Sequence, residues 1–149
     1  MTAALTLAGS EHLDQVLKLV TAFHTEAGIE LTQEARLNGV KPLLEGSPYG
    51  AIYLIGLPRA PIGYIAITFG WSIEFGGMDG FVDEVYVRPA VRGRGIAAEV
   101  LTSLPTALAQ GGLKALHLEV DTDDQSAQRL YDRAGFVHRD RYKLMTLTL

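Results

Sequence analysis

The sequence predicts an α/β fold: a mixed, mostly antiparallel sheet with a central parallel βαβ unit and helices on both faces. Three observations point to it. Runs with apolar residues at every second position alternate along the chain with runs at three- and four-residue spacing. The alternating run "GFVDEVYV" at 80–87 passes through a short arginine- and glycine-rich loop into a helical run, and another alternating run follows, which is the pattern of a right-handed crossover between parallel strands. The chain has 149 residues, 48% hydrophobic and 20% charged, enough to bury the core of one domain over 1–149 without staples.

Taken in order, "ALTLA" alternates and ends at Gly9 and Ser10, where Ser10 is the expected N-cap and Glu11 and Asp14 suit the helix dipole. Leu13, Val16, Leu17, Val20 and Phe23 then mark an amphipathic helix that ends near Gly28. A second helix starts at Thr32 and carries Leu37, Val40, Leu43 and Leu44, with a break or kink expected at Gly39 and Pro42. "GAIYLIGL", the turn "PRAP" and "IGYIAITFGWSIEF" read as a hairpin, and "FVDEVYV" after the turn "GGMDG" supplies a third antiparallel neighbour. "GIAAEVLTSLPTALAQ" is helical and stops at Gly111 and Gly112, with Pro105 expected to bend it. "LKALHLEV" is a strand, "DDQSAQRLYDRAG" a capped helix, and "YKLMTLTL" a last strand. The predicted order is β-α-α-β-β-β-α-β-α-β.

Composition narrows the function classes. Without cysteine there is no disulfide, thiolate metal site or cysteine nucleophile, and the four histidines include no pair at i, i+4, so no metal is expected. The first fifteen residues lack a basic leader and a long apolar region, and "AIYLIGL" is far too short for a bilayer span, so the expected location is cytoplasmic, away from membranes. A net charge of −4 and a pI near 5.5 argue against nucleic acid as a partner and favour a cationic small molecule.

Against that acidic balance, "RPAVRGRGIAAE" at 88–99 concentrates three arginines and two glycines ahead of a helix. One reading is a solvated turn. A dinucleotide fingerprint matches Gly93-x-Gly95-x-x-Ala98, with Glu119 in the ribose position, but Arg88-Pro89-Ala90-Val91 intervene after the strand and only one βα unit follows. A P-loop lacks its Gly-Lys-Ser/Thr. The stronger reading seats a pyrophosphate on the helix N-terminus, where backbone N–H groups from Arg92 to Ala97 are free, small residues let the anion approach, and arginine side chains add contacts at the rim.

At this point the sequence resembles the GNAT superfamily of acyl-CoA-dependent N-acyltransferases. Arg92-x-x-Gly95-x-Ala97 matches its (Gln/Arg)-x-x-Gly-x-(Gly/Ala) signature, and "SAQRLYDRAGF" stands where the family has its second motif. The resemblance covers essentially the whole chain, weakest before residue 50. It implies a GNAT-like fold, one N-acetyltransferase domain over 1–149, acetyl-CoA as co-substrate, and transfer of its acetyl group to a primary amine by direct attack in a ternary complex.

It also implies roles for particular residues. Arg92, Gly93, Arg94, Gly95, Ile96 and Ala97 would hold the pyrophosphate, while Val85, Tyr86 and Val87 would line the pantetheine arm, with the Val87 N–H beside the acetyl carbonyl as an oxyanion donor. The second motif, usually Asn-x-x-Ala-x-x-Leu-Tyr, reads Asp124-x-x-Ala127-x-x-Leu130-Tyr131. Asp124 keeps the capping and acceptor roles but has no amide to donate. Tyr131 is the implied general acid toward the leaving thiolate; read without the motif, it is helix packing.

For the base, Asp83 and Glu84 are predicted on opposite faces of a strand. Asp83 shares parity with Val87, where members of the resembling family with a strand carboxylate base tend to carry it, so the resemblance implies Asp83 as the first choice and Glu84 the second, unless a bulge reverses the parity. The alternative for both is an ion pair with nearby arginines. The acceptor pocket of the resembling fold would draw on Phe23, His24, Glu26, Tyr49, Trp71, Glu74 and Asp79, acidic and aromatic groups that suit a small protonated amine; His24 is alternatively a hydrogen-bonded helix histidine. The competing functions are a protein N-acetyltransferase and a non-catalytic acyl-CoA-binding regulatory domain. A homodimer is common in the resembling family, and the apolar tail "LMTLTL" would serve as an interface or a last core strand.

Overall fold

The computed structural model describes residues 4–149. Strand β1 (Leu5–Leu7) leads to helices α1 (Leu13–Ala27) and α2 (Gln33–Leu44), and then to strands β2 (Gly50–Leu57), β3 (Ala60–Ser72) and β4 (Gly77–Val87). Helix α3 (Ile96–Gln110), strand β5 (Ala115–Leu118) and helix α4 (Gln125–Arg133) complete the described elements. The five strands form one sheet in sequence order, antiparallel from β1 to β4 and parallel between β4 and β5. The architecture predicted from the patterning is the one observed.

Alternation along the strands divides the core between two faces. Ile52, Leu54, Tyr64, Ala66 and Tyr86 pack with Val16, Leu19 and Val20 of α1 and with Val40 and Leu44 of α2. Ile55, Ile65, Ile67, Val82 and Val87 pack on Val100, Leu101 and Leu104 of α3, with Leu130 and Tyr131 of α4 alongside. Burying each such aliphatic side chain contributes roughly 1.5–3 kcal/mol, so each face holds its own pair of helices.

Several local expectations need correction. Ser10 does not cap α1. A short 3-10 turn over Ser10–His12 comes first, and His12 Nδ1 reaches back to accept the Gly9 N–H at 3.0 Å, closing the turn without a hydroxyl cap. Thr32 does cap α2, accepting from the Ala35 N–H at 3.1 Å. Helices α2 and α3 continue through Gly39, Pro42 and Pro105. Pro42 sits in the last turn of α2, and α3 is anchored by Val100, Leu101 and Leu104, whose burial outweighs the one lost backbone hydrogen bond.

"YKLMTLTL" at 142–149 is not a strand. The preceding segment is drawn over the β3–β4 hairpin, where Arg139 meets Glu74 at 3.2 Å and stacks its guanidinium on Phe75, and beyond it Leu144, Met145, Leu147 and Leu149 are exposed. The alternating pattern is present but has no strand partner among the described residues.

The pairing of β3 with β4 slips between Ala66 and Ile67, which oppose Glu84 and Val82. Asp83 is therefore the extra residue of a β-bulge, and parity breaks there: Val82 and Val85 share one face although they are three apart. The predicted opposition of Asp83 and Glu84 across a regular strand does not hold.

Candidate active site

The loop between β4 and α3 is shaped by its glycines. Pro89–Val91 makes a 3-10 turn, after which Gly93 and Gly95 adopt φ of +79° and +76°. A Cβ at either would meet no heavy atom within 4 Å, so these positions serve backbone conformation and an open surface rather than packing. Gly95 caps α3, and the first-turn N–H groups of the helix have no intrahelical acceptor.

These N–H groups open on a cleft of about 580 Å³. Arg92, Gly93, Gly95, Ile96, Ala97, Ala98 and Leu101 line it from the loop and α3; Asp124, Ser126, Ala127, Leu130, Tyr131 and Arg133 line it from α4. Val85, Tyr86 and Val87 contribute from β4, and Phe23 and Glu26 from α1. Of the residues expected to hold the cofactor, Arg94 alone is absent from this lining, and it is exposed. Asp124 caps α4, its Oδ1 accepting the Ala127 N–H at 2.9 Å, so a carboxylate performs the capping expected of the usual Asn.

The cleft exists because the sheet opens. Pairing of β4 with β5 ends at Val82 opposite Leu118, and past that point the β5-facing edge of β4 has no strand beside it. An apolar stretch formed by Val85, Val87, Ile96, Leu101 and Leu130 thus joins the free amides of α3 to the interior of the sheet. That donor set fits an acyl-CoA: backbone amides for phosphate, and an apolar slot beside a free strand edge for an extended arm.

Tyr131 projects from α4 into the cleft, and its ring stands edge-on to Phe136, with centroids 6.0 Å apart. Burial, with a smaller contribution from the Asp124 carboxylate, raises its pKa above that of an ordinary phenol. It therefore holds its proton at neutral pH.

Arg92 is exposed but folded back along the protein. Its Nε–H donates to the Val87 carbonyl at 2.8 Å, one Nη donates to Glu26 at 2.7 Å, and the guanidinium lies 5.5 Å from the centre of the Tyr86 ring. The ion pair holds the Glu26 carboxyl below its usual range. It also ties α1 to the β4–α3 loop side of the cleft.

Neither Asp83 nor Glu84 lines this cleft. Asp83 and Glu119 are the first residues past the last β4–β5 pair, where the strands part. The Asp83 side chain reaches solvent, yet the surrounding protein, followed by the Glu84 and Glu119 carboxylates, raises its pKa. Glu84 turns to the α1 face, where Oε2 lies 2.6 Å from His24 Nε2 and Oε1 accepts the Tyr64 hydroxyl at 2.7 Å. His24 is 5% exposed and receives the Arg36 Nε–H at Nδ1, 3.1 Å away.

The expected acceptor residues separate into two groups. Phe23 and Glu26 border the cleft, and His24 lines a shallower hollow between α1 and α2 together with Ile29, Thr32 and Arg36. Trp71, Glu74 and Asp79 lie instead at the far end of the β3–β4 hairpin, outside both recesses. Trp71 is exposed, Glu74 pairs with Arg139, and Asp79 pairs with His117 at 3.2 Å. Tyr49 is exposed and precedes β2.

Sequence reasoning missed Tyr64 and Arg36. Tyr64 carried a signal, since a tyrosine inside an apolar strand must find a partner for its hydroxyl when buried. Arg36 carried none.

The Acetyltransferase (GNAT) family profile matches residues 13–136. An integron cassette protein from the mobile metagenome of Cole Harbour Salt Marsh is 32% identical, with a TM-score of 0.84 over 97% of this chain and 90% of its own. AAC(6')-Iy, solved in complex with the bisubstrate analog CoA-S-monomethyl-acetylneamine, superposes with a TM-score of 0.80 at 14% identity, covering all of both chains. The N-alpha-acetyltransferase MAK3 of Arabidopsis thaliana is 34% identical over 62 residues, 42% of this chain and 33% of that protein, so the chain matches about a third of that relative's length.

Proposed function

The chain belongs to the GNAT acetyltransferase family, and from that premise we propose that it moves the acetyl group of acetyl-CoA to the primary amine of a small cationic acceptor. The observation that carries this reading is one cleft that joins the open amides of α3, the free edge of β4 and the Tyr131 side chain. The amides of the 92–97 loop hold the pyrophosphate, and Val85 to Val87 accompany the pantetheine. The Val87 N–H stabilises the oxyanion formed when the amine attacks the thioester carbonyl.

Asp83 accepts the amine proton. Its carboxylate stands where the strands part, reaches solvent, and is made more basic by its surroundings, which brings a carboxylate closer to the pH at which it must work. Tyr131 donates to the leaving thiolate. Phe23 and Glu26 receive the cationic acceptor at the cleft edge, by ring contact and ion pairing. AAC(6')-Iy, bound to a CoA–aminoglycoside analog, supports the small-amine class.

A second acceptor, a protein N-terminus, is favoured by the match to an N-alpha-acetyltransferase. One assay separates the two: release of free thiol from acetyl-CoA against polyamines, amino acids, aminoglycosides and short peptides, with products weighed by mass spectrometry. Turnover of a small amine supports the proposal. Turnover of peptides alone replaces its acceptor, and binding of acetyl-CoA with no turnover identifies a regulatory domain.

A further inference from the structure

On the α1 side of the sheet a hydrogen-bonded chain runs Arg36, His24, Glu84, Tyr64, and the chemistry of its two ends fixes where every proton sits. A guanidinium only donates. Since the Arg36 Nε–H points at His24 Nδ1, that nitrogen must present its lone pair, and the proton of the ring is on Nε2, donated to Glu84 Oε2 across 2.6 Å. The other end is equally fixed. Tyr64 is fully buried, and burial together with Glu84 raises its pKa strongly, so its hydroxyl remains protonated and donates to Oε1.

Glu84 thus receives one neutral donor at each oxygen, and Arg36, the cation of the chain, is on the far side of the imidazole ring. Arg36 is itself steadied by Gln33 Oε1, which accepts its Nη1–H at 3.3 Å and also meets the Thr21 hydroxyl. We infer that Arg36 is a positioning residue for acetyl transfer: by donating to Nδ1 it fixes His24 as a neutral Nε2–H donor and leaves Glu84 an uncompensated negative charge beside Asp83. The inference rests on the reading of Asp83 as the proton acceptor. A neutral His24 lets Glu84 hold the basicity of Asp83 up, whereas an imidazolium in the same place pulls it down.

The other ionisable groups around the chain do not displace this arrangement. Glu119, past the end of β5, adds a second negative charge near Asp83. Tyr86 neighbours Tyr64 on the same face, and the Arg92 guanidinium over its ring is already paired with Glu26 of α1.

The test uses the full-length protein, with imidazole nitrogens and side-chain carboxyls followed by NMR as pH is varied. In the wild type His24 is expected as the Nε2–H tautomer. In Arg36→Met the freed Nδ1 takes up a proton, and Asp83 titrates lower by about half a unit or more; the acid limb of kcat/KM follows it to lower pH. Glu84→Gln lowers the Asp83 titration as well, while Arg36→Lys, which retains a donor, stays close to wild type. Two results overturn the inference: a wild-type His24 protonated on Nδ1, which can be read even if a variant fails to fold, or an Asp83 titration that Arg36→Met leaves unmoved. Full turnover by Asp83→Asn instead overturns the assignment of the base, and is distinguishable because the tautomer of His24 is read without activity.

Discussion

The two faces of the sheet are built on different principles. On the α3 and α4 side the candidate site is made of backbone: loop amides, a free strand edge, glycines at positive φ and one tyrosine from α4. On the α1 and α2 side it is made of side chains, Arg36, His24, Tyr64 and Glu84, joined across four elements by hydrogen bonds. A backbone site is constrained by geometry that few residues satisfy, whereas a side-chain network is constrained only by where its members meet. In the proposed function the first face carries cofactor binding, with few substitutions tolerated at its glycines, and the second sets charge.

If that division holds, the largest effect comes from the residue placed between the two faces. Asp83→Asn should lower kcat/KM for the amine by about a hundredfold, the scale of a lost general base, with acetyl-CoA affinity unchanged by calorimetry. Tyr131→Phe should reduce kcat by about tenfold or more and leave the acetyl-CoA KM near wild type; a change confined to KM would move Tyr131 to the backbone-built binding face. Gly95→Ala forces a Cβ into the left-handed region at the cap of α3, costing about 1–2 kcal/mol of stability in a denaturant titration and weakening acetyl-CoA binding.

Smaller effects sharpen the electrostatic half of the contrast. The folded-state pKa of Asp83 is raised above the unfolded value. In the window from that unfolded value up to the raised one the folded state binds more protons, so stability falls as pH rises through it and the cost is fully present above it. Asp83→Asn should therefore melt at a higher temperature than wild type at neutral pH, the gain fading as pH falls below the carboxylate range. The smallest change in stability is expected of Glu26→Gln. Its ion pair with Arg92 is well exposed, so the loss should be on the order of half a kcal/mol, weaker in high salt and vanishing in acid, where Glu26 is protonated.

The same contrast explains what could be read in advance. The glycine loop and the Asp124 cap were legible because their spacing follows local geometry: positive φ at 93 and 95, and a helix cap three residues ahead of Ala127; Tyr131 was singled out only by the resemblance of the 124–131 motif. The βαβ crossover was legible from the change of period at residue 95. The bulge at Asp83 was not, because an extra residue in a ladder depends on the partner strand and leaves the alternation of "FVDEVYV" intact on paper. Arg36 meets His24 only because α2 packs on α1. The tail at 142–149 misled for the opposite reason, since its pattern is strand-like and what it lacks is a neighbouring edge.

The most direct measurement of the central claim is a titration of the labelled protein with acetyl-CoA, followed at backbone amides. The account predicts the largest shifts at Gly93, Gly95, Ile96 and Ala97, a second set at Val85 to Val87, and little change at Trp71, Glu74 or Asp79. Shifts centred on the hollow between α1 and α2, with the 93–97 amides unmoved, would contradict it.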